Sequence, residues 1–224
     1  MAAPVAQLRK DQIVRLSKLK CKHSHTYLDH WACYLEDYPG NFQEERVGYF
    51  DIEANNLKAD YGLMLSWAIL DEKTGVTTFD CLSPKDARSA DEDKRIVQSC
   101  VDTLRNYDRI VTYYGSGYDF PFLRARALMT GVEFPKFGEI GHKDLYFTIR
   151  SKFALSSRRL ENACRQLVGT TGKTRIDAKY WRAAVLGDQK AMAYIVEHNI
   201  ADVDDLRKLY HKTIEYSKGT KVSI

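Results

Sequence analysis

Apolar residues fall along this chain in two different periods. Between 47 and 79 they run in short, nearly continuous blocks, and from 91 onward, apart from another such block at 109–114, they recur every three or four residues. Val47-Gly48-Tyr49-Phe50-Asp51-Ile52-Glu53 reads as a buried strand ending in acids, because a short run rich in aromatic and β-branched residues suits a sheet interior. Residues 61–70 make a second strand, Lys73-Thr74-Gly75 is turn punctuation, and a third strand follows around Val76 to Phe79. Ile96, Val97, Cys100, Val101 and Leu104 mark one face of a helix over 91–106. Arg109 to Tyr114 is a fourth strand. Asp119 and Pro121 then open a helix over 120–129, the acid as cap and the proline in the first turn. After 131–141 the pattern turns helical, with shorter helices near 157–168 and 178–186 and a long final one over 188–217. The order is three strands, helix, strand, helix, then helices, which makes residues 47–224 an α/β domain.

The first 46 residues differ. Val5, Leu8, Ile13, Val14, Leu16 and Leu19 stand among basic residues, as in a loosely amphipathic helix over 5–20, and a cluster of cysteines and histidines follows. Pro39-Gly40-Asn41 is the expected boundary between this lead-in and the α/β domain. Across all 224 residues, 44% are hydrophobic and 12% aromatic, which supports a proper core and excludes a disordered or rod-like chain. No apolar run approaches the roughly 18 residues of a membrane span, and residues 1–20 do not read as a secretory signal. An intracellular, cytoplasmic location is expected. Five cysteines, an odd number, fit a reducing compartment better than a disulfide framework.

The net charge of +4 is unevenly spread. Six basic residues against Asp11 give residues 1–22 a charge of +5, and nine against Glu161 and Asp177 give residues 146–182 a charge of +7, so the rest carries −8. Two basic segments facing an acidic remainder suit a protein that holds a polyanion and keeps acids for another purpose.

The histidines are uneven too. The lead-in reads Cys21-Lys22-His23-Ser24-His25, then His30-Trp31-Ala32-Cys33. Structural zinc takes four soft or borderline ligands, usually as two close pairs. His30 and Cys33 form one pair, and Cys21 forms the other with His23, the favoured partner, or with His25. The short interval implies a compact knuckle, a segment too small to fold on apolar contacts alone.

Asp51 and Glu53 lie two apart on a strand and therefore share one face. Two carboxylates on an otherwise apolar strand repel each other and resist desolvation, so they call for a counter-charge such as a divalent cation. Asp119 follows a strand and a glycine-bearing loop, at the start of a helix, where sites in α/β sheets gather. His198 and Asp202 lie four apart on the last helix and share a face.

On these residues the chain resembles the DEDD 3′–5′ exonucleases of the ribonuclease-H-like superfamily. Phe50-Asp51-Ile52-Glu53-Ala54 is similar to the first motif, with Leu57 near a position that often contacts the terminal nucleotide. Tyr118-Asp119-Phe120-Pro121-Phe122-Leu123 is similar to the second, and His198-Asn199-Ile200-Ala201-Asp202-Val203 to the third. Asp144-Leu145-Tyr146, Leu155-Ser156-Ser157 with Leu160, and Gly172-Lys173-Thr174 are similar to the connecting part of the branch nearest the B-family polymerase proofreading domains. Two features depart from the pattern. The third motif has the three-residue gap usual behind a tyrosine, yet histidine leads it; the four-residue gap usual behind histidine would end at Val203. Tyr114 stands where an asparagine often precedes the glycine.

The resemblance implies a mixed sheet flanked by helices, and two-metal hydrolysis of phosphodiesters with Mg²⁺ or Mn²⁺. In that scheme Asp51 bridges the ions, Glu53 and Asp202 hold the one that activates water, Asp119 holds the other, and His198 takes the water's proton. Leu57, Tyr118, Phe120 and Lys173 are expected against a nucleic-acid strand with a free 3′ end. Tyr113, Tyr118, Phe120 and Tyr146 could stack on a splayed base, though core packing is the more common fate of such aromatics, and Lys152, Arg158, Arg159 and Arg175 are phosphate candidates. A structure-selective endonuclease on the same fold and a non-catalytic nucleic-acid-binding adaptor are the alternatives. The clustered acids speak against the adaptor.

Overall fold

The computed structural model describes residues 10–38, 45–172 and 177–217. They divide into two compact units, residues 1–45 and 46–224.

In the first unit, α1 (Lys10–Leu16) is followed by a turn region and by α2 (Trp31–Asp37). The expected helix over 5–20 is thus seen only for 10–16: residues 5–9 lie outside the described residues, and the chain leaves the helix at Ser17 so that Lys20 can bridge Thr26. Helix α2 was not expected. Leu16, Cys21, Tyr27, Cys33 and Tyr34 are buried together, with Trp31 and Tyr38 packed around them. The expected Pro39-Gly40-Asn41 boundary lies outside the described residues.

The second unit is built on a five-stranded sheet of order β3-β2-β1-β4-β5: β1 (Val47–Ala54), β2 (Met64–Asp71), β3 (Thr77–Cys81), β4 (Arg109–Thr112) and β5 (Gly141–Asp144). β1 pairs antiparallel with β2 and parallel with β4; β2–β3 is antiparallel and β4–β5 parallel, so the sheet is mixed. The helices are α3 (Lys94–Leu104), α4 (Asp119–Thr130), α5 (Leu145–Lys152), α6 (Leu160–Leu167), α7 (Ala178–Val185) and α8 (Gln189–Thr213). β5 was not expected from the sequence. Among the described residues no helix is long and apolar enough to cross a membrane.

Side-chain alternation along β1 divides the core in two. Phe50 and Ile52 face the layer that holds Ile96, Val97, Cys100 and Val101 of α3 and Phe120 and Leu123 of α4. Tyr49 faces the other layer, with Ala68 and Leu70 of β2 and Val203, Leu206 and Leu209 of α8. Every residue of β2 is buried, the signature of a strand covered on both faces. Asp51 and Glu53 continue the Tyr49 face, so period two places them on the side of the sheet that carries α8.

Candidate active site

The apolar seam between β1 and α8 gives way to polar residues at one end. There Asp51 and Glu53 of β1 meet Asp202 of α8, and one carboxylate oxygen from each lies within 4.8 Å of the others. Asp202 is buried, and Asp51 and Glu53 are half-buried. Three carboxylates this close, partly out of water, repel one another strongly, and the arrangement is favourable once a cation lies among them. All three donors are hard oxygens, which suits Mg²⁺ or Mn²⁺.

Neutral donors hold two of the three. Asn199, fully buried on α8, donates from Nδ2 to Asp51 Oδ2 at 2.7 Å and accepts at Oδ1 from Ser66 Oγ at 3.0 Å. Ser66 sits directly opposite Glu53 in the β1–β2 register and so faces the same way. Trp181 of α7 donates from Nε1 to Glu53 Oε2 at 3.3 Å. Asn199, Ser66 and Trp181 carry no charge and belong to distant segments, so no sequence pattern marks these contacts.

Asp119 stands outside this close trio. It is the first residue of α4, buried, and its Oδ1 accepts from the Ile52 N–H at 3.1 Å. The pairing of β4 with β1 ends at Tyr49–Val111, so β4 offers Ile52 no carbonyl, and the Asp119 carboxylate takes that place. Burial pushes the Asp119 carboxyl up to about 7, helped by the charges of Asp144 and Asp202 and opposed by its backbone hydrogen bonds.

The loop before Asp119 is held from β5. The Asp144 carboxylate, at the strand's end, accepts from the N–H groups of Tyr114 at 2.8 Å, Ser116 at 3.0 Å and Tyr146 at 3.1 Å. Tyr114 adopts a left-handed conformation at φ 71°, a strained state for tyrosine that these bonds stabilise. The neighbouring glycines are required by close approach: a Cβ at Gly115 would lie 2.3 Å from Thr112 Oγ1, and one at Gly117 2.5 Å from the Tyr114 ring. His142 bonds Thr112 Oγ1 through Nε2 at 2.8 Å, and burial pushes its imidazole down to about 4, so it is neutral at pH 7.

The remaining expected residues fall in different places. Leu57 is 78% exposed, on the loop that follows β1. That loop is held by Arg126 of α4, which donates to Ala59 O at 3.2 Å and pairs with the buried Asp93 at 2.5 Å. Tyr118 is half-buried; burial and the carboxylates of Asp119, Glu53 and Asp51 raise its phenol. Phe120 corrects the expectation of base stacking: it is 2% exposed, stacked on Phe50 and met edge-on by His142, so it is a core residue. His198 is 5% exposed and lies one helical turn from both Tyr194 and Asp202. Tyr113 and Tyr146 pack edge-to-face, and the half-exposed Tyr114 and Phe147 each meet Tyr146. Lys152, Arg158 and Arg159 are exposed. Lys173 and Arg175 lie outside the described residues. In the first unit, Cys21, His23, His30 and Cys33 form a second group of ligand atoms within 4.8 Å, and His25 is not in it.

The profile of the RNase_H superfamily matches residues 48–214, most of the chain and all of the acids above. This protein belongs to the RNase_H superfamily. The resemblance read from its motifs is borne out at that level, and so is the mixed α/β sheet. Among curated proteins, a DNA polymerase of Methanocaldococcus jannaschii is 34% identical over 64 residues, which is 28% of this chain and 4% of that polymerase. Among solved structures, the family B DNA polymerase of the archaeon Pyrobaculum calidifontis superposes with a TM-score of 0.63 at 19% identity, over 77% of this chain and 25% of that one. The structural likeness shows a shared fold. This RNase_H superfamily chain spans only a small part of the polymerases it matches.

Proposed function

We propose that this chain is a metal-dependent 3′–5′ exonuclease that removes mononucleotides from single-stranded nucleic acid. The observation that carries the reading is the meeting of Asp51, Glu53 and Asp202 at the polar end of the β1–α8 seam. Asp51, Glu53 and Asp202 would hold one divalent cation, and Asp51 with Asp119, whose carboxylate accepts from the Ile52 N–H, would hold a second. What divalent ions supply there, when bound, is shielding of the anionic diester, a lower pKa for the attacking water and stabilisation of the leaving oxygen.

The chain's own residues orient the rest. Asn199 fixes Asp51, and Trp181 fixes Glu53, so these carboxylates meet a cation in one geometry. His198 takes the proton of the attacking water on a ring nitrogen; the new P–O bond forms as the bond to the 3′ oxygen of the penultimate nucleotide breaks, and that oxygen leaves with a proton. Leu57, exposed on its held loop, and Tyr118 contact the terminal nucleotide. The exposed Lys152, Arg158 and Arg159 lie along the strand's phosphates.

The test is Mn²⁺-dependent release of mononucleotides from a 3′-labelled single strand, compared with Asp51→Ala. Release by the native chain and loss in the folded variant are expected, and equal rates would overturn the assignment. A circular single strand should survive; its cutting would move the reading to an endonuclease. Matched DNA and RNA strands then assign the sugar.

A further inference from the structure

Two cysteines and two histidines of the first unit, outside the acids assigned above to phosphodiester hydrolysis, converge more tightly than packing requires. His30 Nδ1 lies 3.5 Å from Cys21 Sγ, 3.2 Å from His23 Nδ1 and 3.6 Å from Cys33 Sγ, and His23 Nδ1 lies 3.2 Å from Cys33 Sγ. A ring nitrogen carries either one N–H or one in-plane lone pair, so it sustains one good hydrogen bond. His30 Nδ1 faces three partners and His23 Nδ1 faces two. Hydrogen bonding does not account for this, but a central ion does. Bonds of about 2.3 Å to sulfur and about 2.0–2.1 Å to nitrogen, at tetrahedral angles, set edges of about 3.6 Å between sulfur and nitrogen and about 3.3 Å between nitrogens. The observed separations fall within a few tenths of an ångström of those edges.

We propose that Cys21, His23, His30 and Cys33 bind one structural Zn²⁺, through both thiolates and the Nδ1 atom of each imidazole, and that this ion is the centre of the fold of residues 10–38. The local chain is shaped for it. The Cys21 N–H donates to His25 O at 2.9 Å and the Ser24 N–H to Cys21 O at 2.9 Å, a tight turn with Ser24 left-handed at φ 65° that places His23 beside Cys21. His30 and Cys33 are joined by the Cys33 N–H to His30 O bond at 3.1 Å, at the start of α2. His25 serves the turn with its carbonyl, and its ring meets His30 edge-on at a centroid distance of 5.3 Å. Four protein donors close the coordination sphere, which marks a structural rather than a catalytic ion. Thiolate and imidazole select zinc over the hard cations suited to the acids. Apart from the two cysteines, the buried apolar residues of this unit among the described residues are Leu16, Tyr27 and Tyr34, too few to hold a fold without further support.

The experiment uses the full chain, purified without chelator and then titrated with Zn²⁺ or Co²⁺. One equivalent of tightly held metal is expected. The cobalt form should show the intense visible bands of a tetrahedral site with thiolate charge transfer, and long-range ¹H–¹⁵N spectra of the zinc form should show both ligating rings protonated at Nε2. Cys33→Ser and His23→Ala should abolish binding, His25→Ala should keep it, and His23→Cys should keep it because a thiolate can replace the imidazole. None of these readouts depends on nuclease activity. A full chain that takes up no metal while residues 10–38 stay protected from hydrogen exchange would overturn the proposal, as would His25→Ala losing the metal while His23→Ala retains it.

Discussion

The two groups of metal-type ligands stand on opposite foundations. Asp51, Glu53 and Asp202 project from an eight-residue strand and a 25-residue helix whose other side chains fill the main core. Cys21, His23, His30 and Cys33 project from a turn and a seven-residue helix with little core of their own. In the first case the scaffold places the ligands whether or not an ion is present, and the carboxylates can leave coordination positions to water and substrate. In the second the proposed zinc would be enclosed by its ligands and would itself supply the order. Hard oxygens on a rigid frame and soft donors on a slight one would thus be two ways of using metal, the first suited to chemistry and the second to folding.

The largest effect expected is at the acids. Asp51→Asn should lower Mn²⁺-dependent nucleotide release by about a thousandfold or more, the equivalent of several kcal/mol of transition-state stabilisation, while thermal unfolding of the second unit is unchanged or shifts upward as repulsion is relieved. A large fall in stability would show that the acids are structural and would break the contrast. Next comes zinc removal. A soft chelator should speed hydrogen exchange throughout residues 20–34 and leave β2 and α8 protected, since their order rests on apolar packing. Faster exchange in β2 would count against the contrast from the other side.

A third test is electrostatic. Without added divalent ions, the folded state holds an extra proton on Asp119 between about pH 4 and 7, so this carboxyl's contribution to stability is lost as pH rises through about 7. His142 acts in reverse: the unfolded state binds the extra proton between about pH 6.5 and 4, so stability falls as pH falls through that window. The two nearly cancel in the native chain. Asp119→Asn should expose the histidine term as a loss of about 3 kcal/mol in urea unfolding between pH 6.5 and 4. His142→Gln should reverse the slope, and parallel pH profiles for both variants would refute the assignment. The smallest effect is at Asn199. Asn199→Ala should reduce the rate about tenfold to a hundredfold and raise the Mn²⁺ concentration needed for half-maximal rate, because Asp51 loses the donor that orients it. An unchanged metal dependence would remove Asn199 from the site.

What the sequence disclosed about this molecule follows the range of its signals. The period-two acids of β1, the start of α4 near Asp119 and the face of α8 are legible because each is a local pattern. The expected cap is corrected, since Asp119 is the first residue of α4, behind Tyr118, and its carboxylate accepts from the Ile52 N–H instead of closing the helix end. β5 was not: Gly-His-Lys-Asp has no apolar alternation, its two buried residues are His142 and Lys143, and only parallel pairing with β4 makes it a strand. α2 is seven residues long, below the length at which a helical period is readable. The motif around Phe120 admits either base stacking or core packing, and the helix decides it by turning the ring inward onto Phe50. The pairing of Asn199 with Asp51 joins residues 148 apart through a neutral amide, and no spacing rule reports that. His23, favoured over His25 from the sequence, joins the group of ligand atoms beside the turn at Ser24, and His25 does not.

β1 runs on past the end of its pairing with β4, and Asp119 fills the notch by accepting from Ile52. On the proposed function, one carboxylate answers to two selections at once, the completeness of the backbone and the charge of the site, and this narrows what evolution or an engineer can put there. Asparagine keeps an acceptor for Ile52 and gives up the charge; alanine gives up both; glutamate keeps the charge on a longer arm that must find a new place for its oxygen. A complete substitution scan at this one position, read once for folding and once for turnover, would yield two different rankings of the same twenty residues, and the distance between the rankings would measure how far architecture and chemistry share a single atom.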